Sequence, residues 1–384
     1  MTHTAARSRF RMPRRRSLHA LWLALPLAAL YAWSTSSYAG SQLGTAGTVI
    51  NVRDKGAKGD GVHDDTHAIQ SAIDSLPAKG GTVLVPKGTY MIDAMRSINL
   101  RSNMTLQLAP DATIAALPNS SQRSYMIKVW NVNNVNITGG TIIGEREGHT
   151  GAGGEWGYGI NIQASNHVHV SDVHIAHCWG DGMWIGALGK APNAVPSTDV
   201  SVDNVVSTEN RRQGLSIGPV NGVTITNSTF SNTHGTMPQS GIDIEPQTQG
   251  QANNITIDHC NLIDNRGSGL EIHSNVSNVT VKNSTITNNY GYGVLTVDAA
   301  TQVTLNANTM TGNGLAGLSI AGHSSYVRAT GNTLGNNSAR YPMKTDSPQA
   351  KNSSFIRGRQ LEVKDAANQI TTDSNTFSPQ TDWH

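Results

Sequence analysis

The chain has 384 residues, of which 39 are glycine, only 5% are aromatic and 14% are charged, and its formal net charge is +2. This length allows one large domain or two ordinary ones. Abundant glycine and few aromatic residues favour many short strands joined by tight turns and exclude a fold made of long helices.

The first 39 residues are predicted to form a secretory signal peptide. Six arginines form a basic start, an apolar stretch runs from Leu18 to Trp33, and Ser37 and Ala39 offer a cleavage site before Gly40. The apolar stretch is short for a membrane span, although an uncleaved anchor is the alternative. Loss of the six arginines would change the formal charge from +2 to −4. We therefore expect a secreted or periplasmic protein that binds neither nucleic acid nor membrane.

Residues 49–92 are predicted to form an N-terminal cap and the first coil of a repeat. A helix is expected after Asp64 and Asp65, which are candidate N-caps. Its apolar face consists of Ala68, Ile69, Ala72, Ile73 and Leu76. Such a helix would cover strand edges that the first coil leaves unpaired.

Seven short phrases share a glycine followed by alternating apolar and variable residues: GINIQ, GMWIG, GLSIG, GIDIE, GLEIH, GVLTV and GLSIA. Their glycines run from Gly159 to Gly317 at intervals of 23, 32, 27, 28, 24 and 24 residues. Strand-type repeats of this length are typical of a β-solenoid, in which each coil covers the next. We predict one all-β parallel β-helix domain over residues 40–384, with coils at 93–335 and a C-terminal cap at 336–384.

A polar residue recurs four positions before most of these glycines, at Cys178, Asn210, Asn265, Asn289 and Asn313. Repeated asparagine predicts an internal ladder of stacked amides whose backbone tolerates the left-handed conformation. Cys178 and Cys260 fall in different columns about 14 Å apart, so we expect two buried thiols and no disulfide.

Alternation along each strand divides the phrases between the inside and the outside of the solenoid. Ionisable outward-facing residues occur in two adjacent phrases only, where Asp243 and Glu245 are followed one coil later by Glu271 and His273. These four residues are predicted to form a two-by-two array with about 4.8 Å between coils and about 7 Å along a strand. The neighbouring outward positions Gly186 and Gly218 are expected to leave room for a bulky ligand.

Stacked carboxylates destabilise a fold unless one keeps its proton, a cation binds between them or a substrate uses them. A protonated acid beside an ionised carboxylate is the arrangement that cleaves glycosidic bonds. Asp243, Glu271, Glu245 and His273 are therefore candidate catalytic residues. The same oxygens could bind Ca²⁺, and the ordinary alternative is that outward-facing carboxylates are only solvated.

Candidate substrate-binding residues lie at the turn before the array, in an inserted loop at His234 and, for Trp184, in the outward-facing column itself. Arginine pairs bidentately with carboxylates, and aromatic rings can stack on sugars. The candidates are Trp184, Arg211, Arg212, His234, Arg266, Tyr290, Tyr292 and Asp181. Insertions at Ala187–Thr198, at Pro246–Asn253 and before Gly241 border the array, and long loops on repeat scaffolds commonly form binding surfaces.

Two segments resemble a known group of proteins. VINVRDKGAKGDGVHDDTHAIQSAI, at residues 49–73, resembles the start of the pectate-lyase-like superfamily of right-handed parallel β-helices. INLRSNMTLQLAPDATI followed by NVNITGGTIIG resembles its polygalacturonase type. The resemblance implies a right-handed coil and a polysaccharide substrate lying along the strand column. The catalytic motifs of polygalacturonases and the Asp-Pro-His motif of alginate epimerases are absent from the coils after Gly159, so the resemblance assigns no catalytic residue.

Three hypotheses follow. The first is an exported glycoside hydrolase that needs no cofactor and acts on an acidic polysaccharide, with Asp243 and Glu271 as the acid and the base or nucleophile. The second is a Ca²⁺-dependent polysaccharide lyase or uronate epimerase, in which arginine or tyrosine is the base. The third is a non-catalytic surface protein that binds a polysaccharide.

Overall fold

The computed structural model describes residues 47–341, 352–364 and 366–378, so the predicted signal peptide at 1–39 lies outside the described residues. Within these ranges the chain winds through three β-sheets in which hydrogen-bonded neighbours come from successive coils and run parallel. The structure is a parallel β-helix, as the repeat predicted. No helix within these ranges is long and apolar enough to cross a membrane.

The strands fall into three sheets. Sheet 1 contains β1 (Val49–Asn51), β3 (Gly81–Val85), β6 (Met104–Leu108), β9 (Asn133–Thr138), β12 (Asn166–Ser171), β15 (Ser197–Asp203), β18 (Val220–Thr226), β21 (Ala252–Asp258), β24 (Val276–Lys282), β27 (Thr301–Asn306) and β30 (Ser325–Thr330). Sheet 2 contains β2 (Asp60–Asp64), β4 (Gly88–Ile92), β7 (Ala112–Ala116), β10 (Thr141–Ile143), β13 (His174–Ala176), β16 (Val206–Thr208), β19 (Thr229–Ser231), β22 (Asn261–Ile263), β25 (Thr285–Thr287), β28 (Thr309–Thr311), β31 (Thr333–Gly335) and β33 (Thr376–Ser378). Sheet 3, which includes the seven phrases, contains β5 (Ile98–Asn99), β8 (Arg123–Trp130), β11 (Trp156–Gln163), β14 (Met183–Gly186), β17 (Leu215–Ile217), β20 (Ile242–Ile244), β23 (Leu270–Ile272), β26 (Val294–Thr296), β29 (Leu318–Ile320) and β32 (Leu361–Val363).

Helices are short and lie near the two ends of the described chain. A 3-10 turn covers Val52–Lys55, α1 covers Thr66–Asp74 and α2 covers Ser353–Gln360. The α1 helix packs against β1 and β5, which are the first strands of two sheets. Its role as a protective cap stays a prediction.

Of the two candidate N-caps of α1, Asp65 occupies the N-cap position and Asp64 is the last residue of β2. Asp64 Oδ1 accepts a hydrogen bond from the Thr66 backbone N–H at 2.9 Å. Asp65 stands at the N-cap position without capping, because its carboxylate accepts hydrogen bonds from the backbone N–H groups of Lys58 and Gly59 at 2.6 and 2.9 Å. Asp65 thus stabilises the preceding loop instead of the helix.

Inward-facing residues of the phrases form the apolar core, as the alternation predicted. Ile242 and Ile244 of β20 are completely buried and pair in register with Leu270 and Ile272 of β23. The phrase glycines are required because successive coils approach closely. A Cβ at Gly241 would lie 2.8 Å from both the Asn265 amide nitrogen and the Gly269 carbonyl oxygen.

The asparagine ladder is present and is fully buried. The side-chain amides of Asn265, Asn289 and Asn313 each donate to the side-chain oxygen one coil further on, at 2.9, 3.0 and 2.9 Å, and the last acceptor in this row is Asn337. The left-handed backbone conformation was predicted at the ladder asparagines themselves, and this position is wrong by one residue. It occurs at the preceding positions, for example with φ of 58° at Asp264.

A second ladder and two later strands were not predicted. Asn308 donates to Asn332, which donates to Asn375, each at 3.0 Å. Although the sequence repeat ends near residue 335, β32 stacks on β29 and β33 stacks on β31. The segment expected to form only a C-terminal cap therefore extends the stacked sheets. Cys178 and Cys260 are buried free thiols, as predicted.

Candidate active-site groove

Successive strands of sheet 3 bring three of the predicted catalytic side chains together. Asp243 of β20 pairs directly with Glu271 of β23. His273 Nε2, one residue beyond β23, lies 3.1 Å from Asp243 Oδ1 and 3.5 Å from Glu271 Oε2. The array is therefore a compact triad, in which the imidazole lies against both carboxylates. The His273 Nε2 and Asp243 Oδ1 atoms are within ion-pair distance but are not aligned as a hydrogen bond.

These carboxylates are not simply solvated. Asp243 is only 2% exposed, and the side chains of Glu271 and His273 are 13% and 21% exposed. Neighbouring side chains hold the remaining carboxylate oxygens. Gln213 Nε2 donates to Asp243 Oδ2 at 2.7 Å, and Ser240 Oγ donates to Glu271 Oε1 at 2.7 Å. Gln213 also accepts from the Ser240 backbone N–H, so one network fixes both carboxyl groups.

The environment moves the pKa values of the two carboxyl groups in opposite directions. Burial raises the pKa of Asp243, although His273 opposes the rise. Burial would also raise the pKa of Glu271, but His273 and the Ser240 hydroxyl outweigh it and lower this pKa. Burial alone would lower the pKa of His273, yet Asp243 and Glu271 raise it to about 10. The imidazole is therefore positively charged at neutral pH.

A second buried acid lies two coils before the triad. Asp181 is completely buried and pairs with Arg212 Nη1 at 3.2 Å, while Ser216 Oγ donates to its carboxylate at 2.8 Å. Burial raises the pKa of Asp181 to about 6 against the opposing effect of Arg212. Asp181 was predicted to bind substrate, but its complete burial makes it a residue that orients Arg212. Glu155 balances the same guanidinium at 3.4 Å.

A groove of about 260 Å³ runs along sheet 3 beside the triad. Two groove-lining carboxylates, Asp243 and Glu245, lie at one end, and Arg212 lies between them and an aromatic wall. The aromatic wall consists of Tyr125, Trp156, Tyr158 and Trp184. Arg123 and Gln163 line the groove beside it. The predicted loop insertions after β14 and β20 complete the lining with Ala187, Gly189, Gln247 and Gln249. The groove therefore combines acids, cations and flat rings, which are the groups that bind and cleave charged sugars.

Most of the aromatic wall was missed by sequence reasoning. Tyr125 and Tyr158 stack with ring centroids 5.6 Å apart, and Tyr158 stacks on Trp184 at 6.4 Å. Tyr125 and Tyr158 precede Gly159, where the glycine phrases begin. The repeat therefore could not assign them to the inside or the outside of the solenoid. The available signal in RSYMIKVW of β8 was partial, because its alternation is interrupted where Met126 and Ile127 are both buried.

The space expected beside Gly186 and Gly218 is filled. A Cβ at Gly186 would lie 2.3 Å from the Trp184 indole, and one at Gly218 would lie 3.0 Å from the same ring. The glycines therefore accommodate a side chain of the protein itself, and the prediction of open backbone for a ligand is wrong. Trp184 lines the groove, as predicted.

The remaining predicted binding residues lie away from this groove. The guanidinium of Arg211 lies 3.7 Å from the centre of the Trp179 ring and donates to the Gly154 carbonyl at 2.8 Å. Its hydrogen bonds and ring contact assign it to packing, so its predicted role in holding sugar is not supported by its position.

A separate groove of about 640 Å³ brings together His234, Arg266 and Tyr290. Arg266 and Arg340 lie over the Tyr290 ring at 4.0 and 4.1 Å. Tyr292 lies outside both grooves, with Lys364 Nζ 6.0 Å from its ring. Of the predicted turn and loop residues, Arg212 lines the groove with Asp243, whereas Arg211, His234, Arg266, Tyr290 and Tyr292 do not.

The triad is also the position where a cation could bind, because its three ligand atoms lie within 4.8 Å of one another. Ca²⁺ prefers about six to eight oxygen ligands. One of the three atoms here is an imidazole nitrogen that already contacts both carboxylates. This donor set fits Ca²⁺ poorly.

Comparisons with known proteins agree with the fold. An uncharacterized protein of Bacillus subtilis, YclG, is 30% identical over 250 residues, which cover 58% of this chain and 43% of that protein. An exo-poly-alpha-D-galacturonosidase of Dickeya chrysanthemi is 36% identical over 105 residues, covering 26% of this chain and 17% of that enzyme. The chain spans less than half the length of the first curated relatives it matches.

The solved A-module of mannuronan C-5 epimerase AlgE6 from Azotobacter vinelandii has the same fold. Its TM-score is 0.64 at 20% identity, with 85% of this chain and 91% of the module covered. The fold is thus shared with proteins that act on polysaccharides. The model of the right handed beta helix region matches residues 111–250 and 196–339, which together span more than half of the chain. The chain therefore belongs to the right handed beta helix family.

Proposed function

We propose that this protein is an exported glycoside hydrolase that cleaves an acidic polysaccharide in the groove along sheet 3. The observation that carries the proposal is the pair Asp243 and Glu271, which lie on adjacent strands and have pKa values displaced in opposite directions. Two carboxyl groups with separated pKa values are the requirement for acid–base cleavage of a glycosidic bond.

Asp243 is the general acid in this proposal. It lines the groove, and burial favours its protonated form. Glu271 stays ionised because Ser240 and His273 stabilise its charge, and it acts as base or nucleophile. His273 holds the two carboxyl groups together, and Glu245 extends the acidic end of the groove.

Hydrolysis is favoured over lyase or epimerase chemistry because the arginine and tyrosine that could act as the base, Arg212 and Tyr158, stay protonated. Burial would lower the pKa of Arg212, but Asp181 and the other acidic groups around it together outweigh burial and raise this pKa above its ordinary value, so its guanidinium does not abstract a proton. Burial raises the pKa of Tyr158 well above its ordinary value, so its phenol stays protonated. The poor fit of the triad to Ca²⁺ points the same way.

An acidic polymer is favoured by the cations of the groove. Arg123 and Arg212 line it, and a guanidinium pairs well with a uronate carboxylate. The name of the Dickeya relative describes action on polygalacturonate, and that of the epimerase module describes action on mannuronan. A polysaccharide outside the cytoplasm is consistent with the basic and apolar N-terminal sequence proposed as an export signal.

The proposal is tested by incubating the purified protein with a panel of polyuronates and neutral glycans, with and without chelator. A hydrolase releases reducing ends without the ultraviolet absorbance of unsaturated uronate ends, and chelator leaves the rate unchanged. Unsaturated products that disappear with chelator would establish the lyase hypothesis instead. Binding without any product would establish a non-catalytic surface protein.

A further inference from the structure

Lys128 lies in the same outward-facing column of sheet 3 as Asp243. The strand register connects Lys128 to Asn161, then to Trp184, Ser216 and finally Asp243. These four steps place Lys128 about 19 Å from the acid at about 4.8 Å per step. The ammonium group and the acid therefore occupy two ends of one straight track along the solenoid.

The charge of Lys128 has no acidic partner among the described residues. Its Nζ atom lies 5.3 Å from the centre of the Tyr125 ring and 4.9 Å from that of Trp130. No described carboxylate forms a salt bridge with it. Burial lowers its pKa. A cation that is partly removed from water and held between rings is stabilised by a bound anion.

A row of aromatic rings connects this cation with the acidic end of the groove. Trp130 lies 5.5 Å from Tyr125, and the stack continues through Tyr158 to Trp184. Arg123 lies over the neighbouring ring of Trp156 at 4.2 Å and also forms no salt bridge with a described carboxylate. The rings give a sugar chain apolar faces to lie on between Lys128 and Asp243.

The distribution of charge along this track is uneven. Unpaired cations, Lys128 and Arg123, lie at its N-terminal end, whereas Asp243, Glu245 and Glu271 lie at the other end. Arg212, between them, is already balanced by Asp181 and Glu155. A uronate carboxylate is attracted to the first end and repelled from the second.

We propose that Lys128, supported by Arg123, forms a distal subsite that binds a uronate carboxylate several sugars away from the bond placed at Asp243. The proposal rests on the proposed function for its substrate class. It makes Lys128 a specificity-determining residue: short oligouronates that reach only the Asp243 end bind without its help, and longer ones depend on it. The affinity for glycans without carboxylates does not depend on Lys128.

The test measures binding of oligouronates of two to eight sugars and of matched neutral oligosaccharides by calorimetry, at low and high salt. Lys128→Met keeps the apolar stem and removes the charge, and Lys128→Arg restores a cation. The matched control is Lys364→Met, because Lys364 lies after β32 at the far end of sheet 3, 6.0 Å from the Tyr292 ring and 3.8 Å from Glu362. Thermal unfolding establishes that each variant is folded.

We expect Lys128→Met to bind the longest oligouronates about tenfold more weakly and with a smaller salt dependence, as loss of one charge-assisted contact implies. Lys128→Arg and Lys364→Met should retain the affinity of the parent protein. Equal affinity of Lys128→Met and the parent for long oligouronates would overturn the proposal, as would an equal loss for neutral glycans.

Failure of the proposed function gives a different result. If the parent protein binds oligouronates through Lys128 and releases no product, the hydrolase proposal fails and the distal subsite stands. If the parent cleaves the polymer and Lys128→Met binds and cleaves it unchanged, the distal subsite fails and the hydrolase proposal stands.

Discussion

The indole of Trp184 lies directly over the backbone of Gly186, where a Cβ atom would come within 2.3 Å of the ring. The indole also lies nearly parallel to the Tyr158 ring, with ring centroids 6.4 Å apart. Trp184 therefore has little freedom to move away, and the absence of a side chain at Gly186 fixes the floor of the groove.

Gly186→Ala should displace the Trp184 indole and weaken polysaccharide binding by about tenfold, at a cost of about 1–3 kcal/mol in stability from overpacking. Tryptophan fluorescence and binding isotherms measure both effects. Gly153→Ala is the matched control, because its nearest new contact is the Gln122 side chain at 3.7 Å. Unchanged binding by Gly186→Ala would show that the indole position does not matter for the ligand.

Asp243→Asn and Glu271→Gln should each lower the hydrolytic rate by about 10²–10⁴-fold, because each removes one member of the acid–base pair. Initial rates on the polysaccharide that the parent protein cleaves are the measurement. Glu362→Gln is the control, since Glu362 continues the same outward-facing column three strands beyond Glu271. Full activity in both test variants would remove the assignment of these two residues, whatever the reaction.

His273→Gln should destabilise the fold in a pH-dependent manner. Asp243 and Glu271 raise the pKa of His273 from its ordinary 6.5 to about 10, so the folded protein binds this proton more tightly than the unfolded chain. The resulting stabilisation is complete below a pH of about 6.5 and disappears as the pH rises through about 10. We expect a loss of about 3 kcal/mol in the free energy of unfolding near pH 6, with a smaller difference above pH 9.

Urea unfolding across this pH range measures the effect. His259→Gln is the control, because His259 pairs with Asp258 at 2.7 Å but is 63% exposed. An exposed pair of this kind contributes little. A constant difference between His273→Gln and the parent protein from pH 6 to pH 10 would contradict the proposed charge of the imidazole.

Asn289→Ala should lower the free energy of unfolding by about 2 kcal/mol. Its amide donates to the Leu262 carbonyl and to Asn313, so truncation leaves buried backbone and side-chain groups without partners. Asn288→Gly is the control, since Asn288 is exposed and its φ of 59° suits glycine. Denaturant unfolding compares the two. Similar stability of both variants would show that the ladder does not contribute measurably.

The register of the central coils could be predicted from the sequence because the phrase glycine marks one backbone position in every coil. The pairing of Ser216 with Asp243 and of Asp243 with Glu271 follows directly from equal offsets. What the offsets could not give is the reach of side chains. Trp184 folds back over Gly186, and His273 turns toward Asp243 across the coils.

The N-terminal part of the groove could not be derived from the phrase, because β8 and most of the Tyr158 neighbourhood precede the first repeated glycine. Arg123, Tyr125 and Lys128 lie on β8, which lacks the phrase glycine and whose alternation is interrupted at the buried pair Met126 and Ile127. The burial of an outward-facing side chain also could not be predicted, because it depends on the loops and side chains that surround its column. Asp181 lies between β13 and β14 and is completely buried, with its carboxylate paired to Arg212.

The constant step between parallel coils has a consequence for how this architecture can vary. The distance between Lys128 and Asp243 is a whole number of coil-to-coil steps. The sides of the groove depend instead on loops such as the one after β14. Addition or removal of one complete coil between Lys128 and Asp243 would lengthen or shorten this distance by one step of about 4.8 Å and leave the triad intact. The number of coils and the side chains at the acidic end can therefore change independently of each other.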